Sequence, residues 1–93
     1  MQDDGVLLEL RLRGELDMAA VRAVERVVAR LPRDRSRVVV DLGELEFLDS
    51  TGLRLLLTLQ QREDGTAVAF TEPGPRVGRV LDITGVRGLL SWR

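Results

Sequence analysis

Between Val6 and Arg13 the apolar residues Val6, Leu8, Leu10 and Leu12 alternate with Glu9, Arg11 and Arg13. A period of two predicts a strand with one wetted face, placed at a sheet edge and ended by Gly14. Asp17 then stands as a helix N-cap, before Ala20, Val21, Val24, Val27, Val28 and Leu31 recur at helical spacing up to Pro32. After the polar turn Arg33-Asp34-Arg35-Ser36, the run Val38-Val39-Val40-Asp41-Leu42 is short, β-branched and uninterrupted. It predicts a central parallel strand covered by helices on both faces. Gly43 to Asp49 reads as a loop, Thr51 to Arg62 as a helix closed by Asp64-Gly65, and Ala67 to Phe70 as a short strand. Pro73-Gly74-Pro75 punctuates the chain before a short helix on Val77, Val80 and Leu81. Asp82-Ile83-Thr84-Gly85 reads as a turn, and Leu89-Leu90 as a last apolar strand.

Strand and helix alternate throughout, so the pattern predicts an α/β fold: a mostly parallel sheet of about four strands with right-handed crossovers, in one domain spanning residues 1–93. Sheets of this kind present ligands and partners outside the carboxyl ends of their strands. In the helix from Thr51, Leu53, Leu55, Leu56, Leu57 and Leu59 sweep roughly 200° at about 100° per residue, leaving Arg54, Thr58, Gln61 and Arg62 polar. One sheet face does not need so wide an arc. The helix is either wedged between the sheet and a neighbouring helix, or Leu55 and Leu59 rim a partner surface.

Composition narrows the chemistry. The chain has 93 residues, enough for one core, with 44% apolar residues. Its 15 acidic and 14 basic residues are interspersed and leave a net charge of -1. No basic footprint points to nucleic acid or an anionic membrane surface, and no apolar run approaches the roughly eighteen residues of a membrane span. An acidic start at Asp3-Asp4 does not suit a signal peptide, and with no cysteine the expected location is the cytoplasm. Every basic residue is Arg, and His, Cys and Lys are all missing. Ser-His-Asp, Cys-His and Ser-Lys nucleophiles, Schiff bases and a phosphate-loop lysine are therefore excluded. Zinc or copper would find only carboxylates, which leaves Mg²⁺ with a group such as Asp17, Asp41 and Asp49 as a residual hydrolase option. The expectation is a binding module, without catalytic residues or cofactor.

One turn stands out by position. Asp49-Ser50-Thr51-Gly52 joins the strand region to the leucine-rich helix, so its backbone N–H groups should form the positive end of that helix and a preformed anion site. A phosphate on Ser50 would meet those donors and add about two negative charges beside Asp49 and near Asp17. On these four residues alone, a plain helix cap with a close-packed Gly52 explains the turn equally well.

The run Phe47-Leu48-Asp49-Ser50-Thr51-Gly52-Leu53, with Gly14-Glu15-Leu16-Asp17 upstream and Leu81-Asp82-Ile83-Thr84-Gly85 downstream, resembles the STAS family. That family takes its name from sulfate transporters and anti-sigma factor antagonists. The resemblance spans nearly the whole chain and implies the STAS fold and the role of an anti-sigma factor antagonist. In such proteins the first hydroxyl residue after the aspartate is phosphorylated by a partner anti-sigma factor that is also a serine kinase. Phosphorylation releases the partner, and a PP2C-type phosphatase reverses it.

Carried onto this chain, the resemblance implies that Ser50 is the phosphoacceptor. Asp49, Thr51 and Gly52 shape its turn, and Asp17, Phe47, Arg54 and Leu55 join it in the partner surface. Phe47 and Leu48 alternatively seal the core, and Asp82 and Gly85 either end a helix or add a contact. Only Gln2 to Gly5 precede Val6, so the additional N-terminal strand common in the family has little material here. With no transporter or sensor segment in view, a separate polypeptide is favoured over a transporter tail. The competing readings are a STAS regulatory subunit of a membrane lipid-transport ATPase and a scaffold or sensor module.

Overall fold

A computed structural model describes residues 7–30, 37–62 and 66–93. Its elements follow in the order β1 (Leu7–Leu16), α1 (Met18–Val28), β2 (Arg37–Leu48), α2 (Ser50–Gln60), β3 (Ala67–Phe70) and α3 (Pro75–Thr84), then a 3-10 turn, Val86–Leu89. The turns expected at Arg33–Ser36 and Asp64-Gly65 and the residues before Leu7 lie outside the described residues, while the first helix, expected to run to Leu31-Pro32, ends earlier, at Val28 with Ala29 as its C-cap.

The sheet is wholly parallel in the order β1-β2-β3, with β1 at one edge and β2 in the centre. Leu8 pairs with Val38 and Leu10 with Val40, and these in turn face Val68 and Phe70 across the next ladder. This registered apolar face packs on Val21 of α1, on Leu55, Leu56 and Leu59 of α2, and on Val77 and Leu81 of α3. Phe70, Leu42, Leu56 and Leu81 have no exposed surface, and burying each such side chain stabilises the fold by roughly 1.5–3 kcal/mol. Cover by helices on both faces was expected for β2, yet the buried leucine and valine side chains of all three helices belong to this one cluster. Val39, on the opposite face, is buried but stands outside that cluster, and its neighbours there are Glu9, Ala69 and Asp41. The alternation of Glu9, Arg11 and Arg13 in β1 already carried this one-sidedness.

The expected fourth strand is not formed among the described residues. Gly85 takes a left-handed conformation (φ 79°) at the end of α3, and the chain then curls through the 3-10 turn, burying Val86 and Leu90. Those apolar residues thus fill the core from a turn, and only Trp92 reaches the sheet, as a single parallel bridge to Phe70. Ser91 O accepts from Phe70 N–H at 2.8 Å and Phe70 O accepts from Arg93 N–H at 2.9 Å. Gln60 anchors this tail to α2, accepting from Ser91 N–H at 2.6 Å and donating to Ser91 Oγ at 3.1 Å. The turn expected at Asp82 to Gly85 is the last turn of α3, capped by Gly85.

The largest departure lies in β2. The segment Gly43 to Asp49, expected as a loop, stays in the sheet to Leu48, and β1 likewise runs past Gly14 to Leu16. The register explains both. Arg11 faces Asp41 and Arg13 faces Glu44; Gly14 faces Leu45 and Glu15 faces Phe47. Each interval puts one more residue on β2 than on β1, which is a bulge. The two bulges, with Gly14 at φ 68° opposite, turn Leu42, Leu45 and Leu48 to the core at a spacing of three and leave Phe47 outside.

The first bulge is pinned. Asp41 Oδ1 accepts from Gly43 N–H at 2.9 Å and from Thr71 Oγ1 at 3.1 Å, while Thr71 Oγ1 accepts from Leu42 N–H at 3.0 Å. The Gly43 amide, the Thr71 hydroxyl and, more weakly, Arg11 hold the Asp41 carboxyl below its ordinary value.

Candidate functional site

Leu16 and Leu48 are register partners, so Asp17 and Asp49 emerge side by side from the carboxyl ends of β1 and β2. Each has an extended backbone and caps the helix that follows, as the short polar side chain of an N-cap should. Asp17 Oδ1 accepts from Ala20 N–H at 3.0 Å. Asp49 Oδ1 accepts from Thr51 N–H at 3.0 Å, from Gly52 N–H at 3.1 Å and from Thr51 Oγ1 at 2.5 Å. The short hydroxyl contact is typical of a charge-assisted bond. The Thr51 hydroxyl, followed by the Gly52 amide, holds the Asp49 carboxyl below its ordinary value, so it is an anion at neutral pH.

These bonds alter the expected chemistry of the turn. Its amides were expected to form an open anion site, but Asp49 already takes the N–H groups of Thr51 and Gly52. Thr51 is likewise committed, its hydroxyl turned to Asp49. Ser50 is the exposed first residue of α2, and its hydroxyl has no hydrogen bond among the described residues. Of the two adjacent hydroxyls, one is locked and one is free.

Gly52 is buried because the first turn of α2 lies directly on the end of β1. A Cβ there would come within 2.6 Å of the Leu16 carbonyl oxygen and 3.0 Å of Leu48 Cβ, so only glycine fits without displacing backbone. Phe47 and Met18 flank the capped pair with 49% and 56% of their surface exposed. Large apolar side chains left exposed next to the two capping aspartates in the chain make a candidate contact surface. Exposed Glu15 and Glu46 make the surrounding strand ends acidic, while Glu44 is paired with Arg13 at 2.9 Å. Sequence reasoning did not single out Met18; its place directly after the capping Asp17, at the first exposed position of a helix, was the available signal.

The remaining candidates divide. Arg54 is exposed one turn below Ser50, as its polar helix position implied. Leu55 and Leu59 are corrected: at 4% and 3% exposure they belong to the core, because α2 is wedged between α1, the sheet and the C-terminal 3-10 turn. Leu55 only floors an open groove between α1 and α2, edged by Met18, Arg22, Thr51 and Arg54. Asp82 turns away to an ion-pair cluster in which Arg87 bonds Asp82 and Glu72 and lies 5.3 Å over the Trp92 ring. Among the described residues no helix is long and apolar enough to cross a membrane.

Comparison with known proteins agrees with this architecture. The Vibrio cholerae SulP transporter STAS domain superposes with a TM-score of 0.69 over 98% of this chain and 72% of that one, at 22% identity. Anti-sigma-B factor antagonists of Staphylococcus aureus are 32% identical over 85 residues, covering 88% of this chain and 79% of theirs. The protein of the same name from Staphylococcus epidermidis is also 32% identical, over 87 residues. The family model described as "Mlab, STAS domain" matches residues 2–91. With a capped aspartate pair at the carboxyl edge of a parallel sheet, and a family match across almost its full length, this chain belongs to the STAS domain family.

Proposed function

We propose that this protein is an anti-sigma factor antagonist, a regulatory binding protein and not an enzyme. Unphosphorylated, it binds an anti-sigma factor that is also a serine kinase; phosphorylation of Ser50 releases that partner, and a PP2C-type phosphatase restores binding. The observation that carries the reading is the free Ser50 hydroxyl, exposed at the start of α2 beside the adjacent caps Asp17 and Asp49. The staphylococcal relatives named as antagonists support the same role.

Within this reading Phe47 and Met18 supply apolar contact, and Asp17 and Arg54 supply charge. Asp49, Thr51 and Gly52 hold the turn in shape. Thr51 is a poor phosphoacceptor because its hydroxyl is bound to Asp49 and its residue is only half-exposed. A phosphate on Ser50 adds about two negative charges next to the ionised Asp49, and its force on an acidic partner surface is repulsive. A cytoplasmic location follows from the role.

The test is incubation with ATP and an anti-sigma kinase from the same source, with the modified residue located by mass spectrometry. Phosphate is expected on Ser50, Ser50→Ala is expected to bind without being modified, and Ser50→Asp is expected to lose at least about tenfold in affinity. Phosphate on another residue, or equal binding of Ser50→Asp and wild type, overturns the proposal. Capture of a lipid-transport ATPase by a chain whose Ser50 stays unmodified overturns it in favour of the regulatory-subunit alternative.

A further inference from the structure

Phosphate on a helix N-terminus ordinarily finds free backbone amides, but here Asp49 occupies those of Thr51 and Gly52. Of the first-turn amides only that of Ser50 itself is left, since Leu53 N–H bonds Asp49 O, so a phosphate there draws most of its counter-charge from a nearby cation. Arg54 lies four residues on, about 6 Å away between Cβ atoms and on the same side of α2. Helical side chains lean toward the N-terminus of their helix, which puts Ser50 within the reach of the Arg54 side chain. Arg54 is exposed and has no ion pair among the described residues. An anion four residues before a cation is also the favourable order for such a pair on a helix.

We propose that Arg54 is the phosphate-binding residue of the modified chain, closing an ion pair with phosphorylated Ser50 along α2. The charged groups around that pair are Asp49 on its own turn, Asp17 on the neighbouring loop, Glu15 and Glu46 at the strand ends, and Arg22 and Glu25 across the groove on α1. The acids oppose the phosphate and Arg22 supports Arg54 from the facing helix. Phosphorylation then acts twice on the partner surface: it adds negative charge, and it withdraws the Arg54 guanidinium from a partner. This inference rests on Ser50 being the modified residue.

The experiment installs the phosphate directly, by translational incorporation of phosphoserine at position 50, so its outcome is separate from whether any kinase acts there. The phosphate is titrated by ³¹P NMR between about pH 4.5 and 8, around the second ionisation of phosphoserine near 6. In Arg54→Ala the phosphate pKa is expected to rise by about 0.2–0.4 unit relative to wild type, and Arg54→Lys is expected to recover about half of that. Arg30→Ala serves as control: it removes the same charge beyond the far end of α1, on the order of 18 Å away, and no shift is expected. Superimposable titrations of wild type and Arg54→Ala overturn the proposal. So does a shift in Arg30→Ala as large as that in Arg54→Ala, which assigns the effect to net charge.

Discussion

The units β1-Asp17-α1 and β2-Asp49-α2 are built on one plan, a buried leucine followed by a capping aspartate, yet they differ in how tightly the cap is tied. Asp17 receives one amide, and the residue bonded to it, Ala20, has a Cβ. Asp49 receives two amides and a hydroxyl, and the equivalent residue is Gly52, which has no room for a Cβ against Leu16. The outer helix is merely started by its cap. The inner helix is bolted to the strand beside it, and the serine at its first position is thereby presented on a rigid base. A switch that works by changing one exposed hydroxyl needs such a base, since a fraying helix end would blur the two states.

This contrast is broken most directly at the glycine. Gly52→Ala is expected to cost about 2–3 kcal/mol in urea unfolding, since the new methyl group meets backbone that cannot swing away. Ala20→Gly is expected to cost only about 0.5–1 kcal/mol, the ordinary propensity loss in a helix. Equal costs would remove the distinction between the two units.

Next come the caps. Asp49→Asn is expected to lower the urea midpoint more than Asp17→Asn at pH 6. Because the folded carboxyl of Asp49 ionises below its ordinary value of 3.8, its stabilisation is complete above that value and is lost as pH falls through the folded pKa. The gap between wild type and Asp49→Asn should therefore narrow as pH is lowered below about 3.8. A gap that stays constant down to pH 2 would show that the charge of Asp49 contributes nothing through its bonds.

The smallest change in stability belongs to the exposed pair. Phe47→Ala and Met18→Ala are each expected to stay within about 0.5 kcal/mol of wild type, while Phe47→Ala loses at least about tenfold in affinity for the anti-sigma kinase. Met18→Ala, on the outer unit, is expected to lose less. The reverse order would move the centre of the contact surface to the α1 side.

What the chain discloses by pattern follows from how local each cause is. Alternation in β1, helical spacing in α1 and the β-branched run in β2 are read within a few residues, and those elements form, though both strands run on beyond their expected ends and α1 stops short of its own. Asp17 as a cap is equally local. The strand identity of Gly43 to Leu48 was not legible, because bulges spoil the period of two and replace it with Leu42, Leu45 and Leu48 at intervals of three, a spacing foreign to a regular strand. The wide apolar arc of α2 was visible, but its cause, a helix packed on three sides, depends on partners far along the chain. At the site, the position of Ser50 was legible. The occupation of the amides by Asp49 was not, because nothing in the order of the four residues tells which of them turns its side chain inward.

The bulge nearest the site also bears on how the length of this segment can change in descent. Glu46 has no opposite number in β1: Leu45 faces Gly14 and Phe47 faces Glu15, the next residue. A chain that lost Glu46 would keep Leu45 and Leu48 inward, Phe47 outward and the aspartate in place, whereas loss of Leu45 would carry a glutamate into the core. Loss of Phe47 would exchange the outward aromatic ring for a carboxylate. Single-codon deletions in this stretch are therefore unequal, and the one that spares both core and surface is the one at the unpaired glutamate.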